Sequence, residues 1–173
     1  ELGGELHIPT QTVAERYDRS IDTGSEFVIE NFGTYAMNSL RLEKAYKGWG
    51  SELPTEISLV ESDMVRFARK SGGYIGAEVV EQKRRDGVPI HLVYCEVEAT
   101  DAAPMGNEPV LDGENIVGVT TSGGYGHCVQ KSLAFAYVNT GFEAPGTTLD
   151  IRILGERRRA TVLSEAARDS ENG

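Results

Sequence analysis

The spacing of hydrophobic residues changes near residue 88 and divides the chain into two parts. Before this point, apolar residues recur at helical intervals, as at Val13, Tyr17 and Ile21. After it, apolar and polar residues alternate and turn residues recur, which is typical of successive strands. The pattern therefore predicts an α+β chain in which a small barrel or sandwich follows a mixed α/β segment.

The individual elements follow from the same periodicities. In the first part, strands are predicted at 5–9 and 63–70, and helices at 13–24, 35–46 and 75–83. In the second part, strands are predicted at 90–98, 108–111, 116–121, 131–138, 148–154 and 159–164, with turns at 112–113 and 122–124. Thr12 and Glu15 form a capping-box pattern at the start of the first helix. The predicted domains are 1–87 and 88–165, followed by a disordered tail at 166–173.

The helix predicted at 35–46 leads into a Gly-Trp-Gly corner at Trp49, the only tryptophan of the chain. Such a corner can place a large flat ring in the core, or present it as the wall of a site for a flat ligand. Within the helix, Arg41 stands between two leucines, so its side chain is expected to turn partly inward. An inward guanidinium needs either a carboxylate partner, such as Glu43 or Glu5, or a ligand.

Composition and charge remove several classes of function. With 39% hydrophobic and 25% charged residues, the 173-residue chain has the composition of a soluble globular protein. Its net charge of −10 disfavours partners such as nucleic acid or an anionic membrane. Cys95 and Cys128 form no CxxC motif, which fits a reduced, cytoplasmic compartment. Because the sequence opens with Glu1 rather than methionine, we expect it to be a piece of a longer protein.

Three further patterns bear on binding chemistry. The glycine-rich stretch before Lys131 does not fit a phosphate loop, because Tyr125 and Gln130 stand where that motif requires glycine. The three histidines have no second ligand at the spacing of a known metal motif, so no metal site is predicted. The basic cluster at 157–159 is either a solvated turn or a docking point for an anionic tail such as a polyglutamate.

Four motifs, in order along the chain, resemble those of the folate-binding aminomethyltransferase family, which includes the glycine-cleavage T-protein. They are ELGGELHIP at 1–9, SLRLEK at 39–44, IVGVTTSG at 116–123, and KSLAFAYV at 131–138 followed by PGT at 145–147. Within this family, YKGWGSEL at 46–53 and GGYGH at 123–127 resemble the dimethylglycine and sarcosine dehydrogenase branch.

This resemblance implies a fold, a cofactor and a reaction. The fold would be a mixed α/β folate-binding segment followed by a small antiparallel β-barrel, and the cofactor would be tetrahydrofolate. The reaction would move a one-carbon unit from a small amine substrate or an aminomethyl carrier to give 5,10-methylene-tetrahydrofolate. In the dehydrogenase branch, an N-terminal domain that binds FAD precedes the folate domain.

The resemblance also implies roles for particular residues. Glu5 would accept hydrogen bonds from the pterin ring, and Arg41 would lie near the folate or hold its pocket. To these we add Trp49 and Tyr125 as pocket walls, since flat rings stack on aromatic faces. The family's catalytic aspartate lies in an N-terminal half that has no counterpart here. We therefore expect no catalytic residue in this chain, and no activity from it alone.

Two alternative functions stay open. Gly4 replaces an aromatic residue that is common in the family, and Gln130 replaces a common glycine. Both departures are compatible with a folate-fold binding or regulatory protein without catalysis. The second alternative is a folate-dependent demethylase that takes a methyl group from a sulfur compound.

Overall fold

The computed structural model describes residues 4–68 and 72–169, which group into two compact units divided between Gly33 and Thr34. The helices are α1 (Val13–Gly24), α2 (Thr34–Glu43) and α3 (Ala77–Asp86), with short 3₁₀ helices at Thr10–Thr12, Ser25–Phe27 and Val65–Phe67. The strands are β1 (Ile90–Val97), β2 (Pro109–Asp112), β3 (Asn115–Gly126), β4 (Lys131–Asn139), β5 (Thr148–Ile153) and β6 (Glu156–Val162). Within the described ranges, no helix is long and apolar enough to cross a membrane.

The first unit contains α1, which begins and ends where the sequence predicts a helix. The predicted capping box is absent, because the hydroxyl of Thr12 donates to the carbonyl of Pro9 at 3.0 Å instead of capping the helix. The strand predicted at 5–9 is also wrong, since residues 4–9 form neither strand nor helix. A strand needs a neighbour to take its backbone hydrogen bonds, and no described strand is paired with this segment.

In the second unit, the six strands close into an antiparallel barrel in the order β1-β4-β3-β2-β5-β6. Its interior includes Val93, Cys95, Val97, Val110, Val117, Ala134, Ala136, Val138, Leu149, Ile151, Ile153, Ala160 and Val162. Most of these side chains are small or β-branched, and they suit the narrow interior of a barrel with few strands. The structure therefore confirms the predicted α+β class and its six strands, arranged as a barrel rather than a sandwich.

Strand β4 is buried on both faces, because α2 packs against the outside of the barrel. Its residues 132–138 are all buried. Leu133, Phe135 and Tyr137 point away from the barrel interior and form an outer cluster with Leu42 of α2. A strand covered on both sides has no reason to alternate apolar and polar residues, which explains the continuous run LAFAYV.

Strand β3 continues through residues 122–124, where the sequence predicts a turn. The glycines there allow close approach rather than a reversal of the chain. A Cβ atom at Gly123 would stand 2.5 Å from the side chain of Pro104, and one at Gly124 would stand 3.2 Å from Leu42. The chain reverses instead at 127–130, between β3 and β4.

Helix α2 ends at Glu43, before the predicted end at residue 46. Ala45 adopts a left-handed conformation with a φ of 53°. The N–H groups of Ala45 and Tyr46 donate to the carbonyls of Leu42 and Arg41, which is the Schellman pattern of a helix end. The Gly-Trp-Gly corner therefore belongs to a separate turn beyond the helix.

Two segments between α2 and the barrel differ from the predictions to different extents. The strand predicted at 63–70 is wrong as far as residue 68, because Asp63 has a φ of 53° and a 3₁₀ helix follows it. Arg69 and Lys70 lie outside the described residues. The helix predicted at 75–83 is present as α3, shifted toward the C-terminus.

The C-terminal segment is held against the second unit as far as Asp169, although the sequence predicts a disordered tail from residue 166. The N–H of Leu163 donates to the carbonyl of Tyr94, and the N–H of Arg168 donates to the carbonyl of Glu43. Lys44 also pairs with Asp169 at 2.6 Å. These contacts are tertiary, so the polar composition of the segment gives no sign of them. Residues 170–173 of the predicted tail lie outside the described residues.

The tight pairing of β3 and β4 predicts that Gly118→Ala will destabilise the barrel. An added Cβ atom would stand 2.3 Å from the carbonyl oxygen of Tyr137, which is backbone and cannot move aside cheaply. We expect the free energy of unfolding, measured by urea denaturation, to fall by about 1–3 kcal/mol. Gly33→Ala is the matched control, since nothing lies within 4 Å of its Cβ position. Equal stability of the two variants would contradict this close approach.

Candidate functional site

A buried carboxylate, Glu52, lies where the turn after α2 meets the barrel. Its Oε1 accepts hydrogen bonds at 2.6 Å from the hydroxyls of Thr121 and Ser122 on β3. Its Oε2 accepts from the N–H of Gly48 at 2.7 Å and from the hydroxyl of Ser51 at 2.9 Å. Both oxygens are thus satisfied although the side chain is fully removed from solvent.

Arg41 supplies the counter-charge to this carboxylate. Its Nη1 lies 3.0 Å from Oε2 of Glu52 and also donates to the carbonyl of Tyr46 at 2.9 Å. Its Nε donates to Oδ1 of Asn38 at 2.9 Å. The partner of Arg41 is therefore Glu52, rather than the Glu43 or Glu5 that the sequence offered as candidates. Among the described residues these bonds use Nε and Nη1, so Nη2 is the nitrogen that can still donate to a ligand.

The surroundings of Glu52 determine its charge state. Burial alone would raise the pKa of Glu52, because it disfavours the ionised form. The hydrogen bonds from Ser122, Thr121 and Gly48, together with the charge of Arg41, outweigh burial and hold this pKa below its ordinary value. Glu52 is therefore an anion at neutral pH and serves as an acceptor for fixed donors, not as a proton donor.

Further hydrogen bonds hold α2 and the turn after it on the barrel. The hydroxyl of Tyr137 on β4 donates to the backbone carbonyl of Glu52 at 2.6 Å. On the helix side, Asn38 donates to the carbonyl of Gly123 at 3.1 Å, and Ser39 donates to the carbonyl of Tyr125 at 2.7 Å. Helix α2, the turn and two strands thus form one hydrogen-bonded platform.

Trp49 projects from this platform into solvent, with 79% of its surface exposed. Gly50, beside it, has a φ of 85°, which a residue with a side chain rarely adopts. The structure therefore excludes Trp49 from the core of the described chain. A large ring held outward on a fixed turn can stack against a flat ligand.

The other predicted site residues lie in different settings. Tyr125 is partly exposed on β3, and its ring meets that of His127 edge-on, with centroids 5.2 Å apart. Glu5 belongs to the first unit, where its carboxylate is 88% exposed and lies 3.5 Å from Nε2 of His7. Arg41 thus belongs to the platform, Trp49 lies on its turn, and the backbone of Tyr125 contacts it through Ser39. Their roles in folate binding, and that of Glu5, stay predictions.

Other charged clusters have structural partners. Glu43 is buried, accepts from the N–H of Cys128 at 2.7 Å, and lies 3.5 Å from Arg168. Within the basic cluster on β6, Arg157 pairs with Glu114 at 2.7 Å and Arg158 pairs with Asp101 at 2.9 Å. The cluster is therefore part of a strand and not the solvated turn that the sequence allowed. No group of three or more metal-ligating side chains occurs in the part of the chain that the structure describes.

Two domain models of one family match this chain. The GCVT N-terminal domain matches residues 1–71, and the glycine cleavage T-protein C-terminal barrel domain matches residues 91–169. The chain belongs to the glycine cleavage T-protein family. The second match contains all the strands of the barrel except the first residue of β1. The domain bounds 1–87 and 88–165 stay a prediction.

Similar proteins in the family are longer than this chain. Mitochondrial dimethylglycine dehydrogenase of Mus musculus is 38% identical over 167 residues, covering 95% of this chain and 19% of that protein. The aminomethyltransferase of Corynebacterium aurimucosum is 34% identical over 160 residues, covering 91% of this chain and 43% of that protein. The glycine cleavage system aminomethyltransferase T from Bartonella henselae shares the fold, with a TM-score of 0.81 at 20% identity over 94% of this chain and 45% of its own. The chain thus spans less than half the length of these proteins.

Glu52 is central to the hydrogen-bonded platform, but it was not predicted from the sequence. A glutamate that follows glycine and serine in a polar stretch gives no sign of burial. Of its two hydroxyl donors on β3, Thr121 was predicted as the last residue of a strand, and Ser122 was predicted in a turn instead of inside β3. The three adjacent hydroxyl residues at 120–122 in this strand were the available signal, because buried hydroxyls need an acceptor.

The platform predicts that Glu52→Gln will destabilise the protein. A neutral amide removes the charge facing Arg41 and turns an N–H₂ group toward groups that are themselves donors. We expect the free energy of unfolding to fall by about 3 kcal/mol, measured by urea denaturation at neutral pH. Glu114→Gln breaks an exposed ion pair with Arg157 and should cost less than about 1 kcal/mol. A loss for Glu52→Gln no larger than this control would refute the central role of the carboxylate.

The lowered pKa of Glu52 predicts how the difference in stability between wild type and Glu52→Gln depends on pH. The folded-state pKa lies below the ordinary 4.5 expected in the unfolded chain, so the ionised form favours folding. Its contribution is complete above the unfolded pKa and is lost as pH falls through the folded pKa. The stability gap between wild type and Glu52→Gln should therefore be constant from about pH 8 to 6 and narrow in acid. A gap that widened in acid would show that the pKa is raised instead.

Proposed function

We propose that the chain is the C-terminal part of a tetrahydrofolate-dependent aminomethyltransferase within a dimethylglycine or sarcosine dehydrogenase-like enzyme. It would help transfer a one-carbon unit from an N-methyl or aminomethyl donor to give 5,10-methylene-tetrahydrofolate. The observation that carries the proposal is the Trp49 ring held outward on the Arg41–Glu52 platform. Membership of the T-protein family, and similarity to dimethylglycine dehydrogenases, support this choice of cofactor and reaction.

The platform residues fit a folate by their chemistry. The pterin ring is flat, and the exposed face of Trp49 offers a stacking surface on a turn that is already ordered. Arg41 is 21% exposed and keeps Nη2 for a ligand acceptor while Glu52 fixes the rest of the guanidinium. Tyr125 offers a second, partly exposed ring on β3. Because these groups are ordered before binding, little entropy is lost when a ligand meets them.

For Glu5, which belongs to the first unit, a role in pterin binding stays a prediction. Its carboxylate is exposed and can accept hydrogen bonds from the N–H edge of a pterin, a charge-assisted contact that is stronger than a neutral one. Tetrahydrofolate itself supplies the two nitrogens that take up the one-carbon unit. The residues of this chain would bind and orient it, while the proton-transfer group and any FAD domain would belong to a preceding part of the polypeptide.

The departure at Gln130 does not disturb the β3–β4 turn. Gln130 has a φ of 54°, in the left-handed region that favours glycine, and the turn still delivers Lys131 opposite Gly126. The common glycine of the family at this position thus has a conformational reason, and glutamine adopts the same conformation. The departure at Gln130 is therefore compatible with the proposed enzyme as well as with a non-catalytic relative.

Direct binding of tetrahydrofolate to the full polypeptide tests the proposal. We expect Glu5→Ala and Trp49→Ala each to weaken binding about tenfold, through loss of a charged acceptor and of a stacking face. Titration calorimetry measures the affinity. Glu15→Ala and Phe67→Ala are the controls, since they remove an exposed carboxylate and an exposed ring elsewhere in the chain. Wild-type affinity in both test variants would reject the proposed site.

Product analysis separates the remaining functions. Methylene-tetrahydrofolate as the product supports the aminomethyltransferase, whereas methyl-tetrahydrofolate from a sulfur donor indicates a demethylase. Binding without turnover by the full polypeptide would favour the regulatory alternative.

A further inference from the structure

A cleft of about 460 Å³ lies between β1, the turn after α2 and the segment that follows β6. We propose that this cleft binds a small anion bearing a carboxylate or phosphate group, held by Lys47 and Arg66. The cleft has the size of a small-molecule site. Neither Arg41, Trp49 nor Tyr125 lines it, so the proposal does not depend on the folate site.

The cleft lies beside the part of β1 that does not pair with β6. Strand β1 pairs with β6 only through Cys95–Val97, although it pairs with β4 along its whole length. The first half of β1 therefore faces the segment that follows β6 instead of a strand, with one contact from the N–H of Leu163 to the carbonyl of Tyr94. The turn after α2 and the segment around Asp63 form the remaining wall.

Lys47 is a largely buried cation in this wall, and the carboxylate nearest to it is exposed. Its side chain is only 15% exposed, and Nζ donates to the backbone carbonyl of Asp63 at 3.1 Å. The carboxylate of Asp63 lies 3.6 Å away but is 91% exposed, so water screens it strongly. Burial lowers the pKa of Lys47 most, the charge of Asp63 opposes this shift, and the nearby charge of Arg66 adds to it. A desolvated ammonium in this position gains from an added anion.

Arg66 is the second cation of the same wall. Its guanidinium lies 4.8 Å from the ring centroid of Phe67, and it has no ion pair with any residue that the structure describes. Two like charges held near each other repel, and an anion between them would remove that repulsion and accept hydrogen bonds from both. The planar guanidinium matches a carboxylate or phosphate in particular.

Acidic residues in the same lining limit the size and charge of the ligand. His91 lies 4.0 Å from Glu143, and Glu143 also accepts from the N–H of Gly141 at 2.5 Å, so this carboxylate is tied to its own loop. Glu165 also lines the cleft. These acidic groups would repel an extended polyanion, and they leave room for one small anionic group beside Lys47 and Arg66.

Titration calorimetry of the full polypeptide with inorganic phosphate, and separately with glutarate, tests the proposal and distinguishes the two sources of anion. We expect saturable binding of at least one probe, weakened by added salt. Lys47→Met and Arg66→Met should each reduce the affinity about tenfold. Lys131→Met should not, because Lys131 pairs with Glu96 and does not line the cleft. Unchanged affinity in a variant that carries both Lys47→Met and Arg66→Met would overturn the proposal. So would a failure of both probes to bind saturably.

A measurement on the unsubstituted protein covers the case in which a variant fails to fold. Acetylation of individual lysines by an N-hydroxysuccinimide ester can be followed by peptide mass spectrometry. The bound probe should slow modification of Lys47 several-fold and leave Lys131 unaffected. Equal rates at Lys47 with and without the probe, or equal protection of both lysines, would refute the site.

Discussion

The structure of the second unit depends on the burial of one charge, that of Glu52. An ionised carboxylate removed from water is very costly unless donors replace its hydration. Here the donors come from α2, from the turn that follows it and from β3, so each of these segments must be in place before the charge is satisfied. The network therefore specifies the position of the turn far more narrowly than apolar contacts alone would, because hydrogen bonds require particular distances and directions.

The apolar packing around this network has a complementary role. Leu42 of α2 lies against the outer face of β4, and close approach at Gly124 brings the helix down onto β3. Apolar burial supplies most of the free energy for this contact but tolerates small displacements. The hydrogen bonds to the buried carboxylate of Glu52 do not tolerate such displacements. In this way the helix segment, which falls within the match to the N-terminal domain, is joined to the barrel of the C-terminal match.

Periodicity was sufficient to predict the six strands and α1, because their apolar spacing reflects which face is buried. It failed where a local pattern has two physical meanings. The glycines at 122–124 can permit a turn or a close contact, and only the neighbouring Pro104 and Leu42 show which applies. The strand at 5–9 failed because no described strand pairs with it, and the capping box failed because the hydroxyl of Thr12 donates to the carbonyl of Pro9 instead. For the candidate site, Arg41 and Trp49 were recognisable as unusual residues, whereas Glu52 became visible only through its tertiary contacts.

Because one side of α2 is fixed to the barrel, its other side is held in a fixed position as well. Leu42 and Ser39 face the barrel, while Tyr35, Met37 and Leu40 remain exposed, as does Trp49 on the adjoining turn. Contiguous apolar exposure is unusual on a protein surface and marks a place where something binds. Since the helix and the turn cannot shift without breaking the Glu52 network, whatever packs there meets a rigid surface. A flat cofactor that must be oriented for group transfer benefits from such a surface, because misplacement of the reacting atoms by about 1 Å can cost two orders of magnitude in rate.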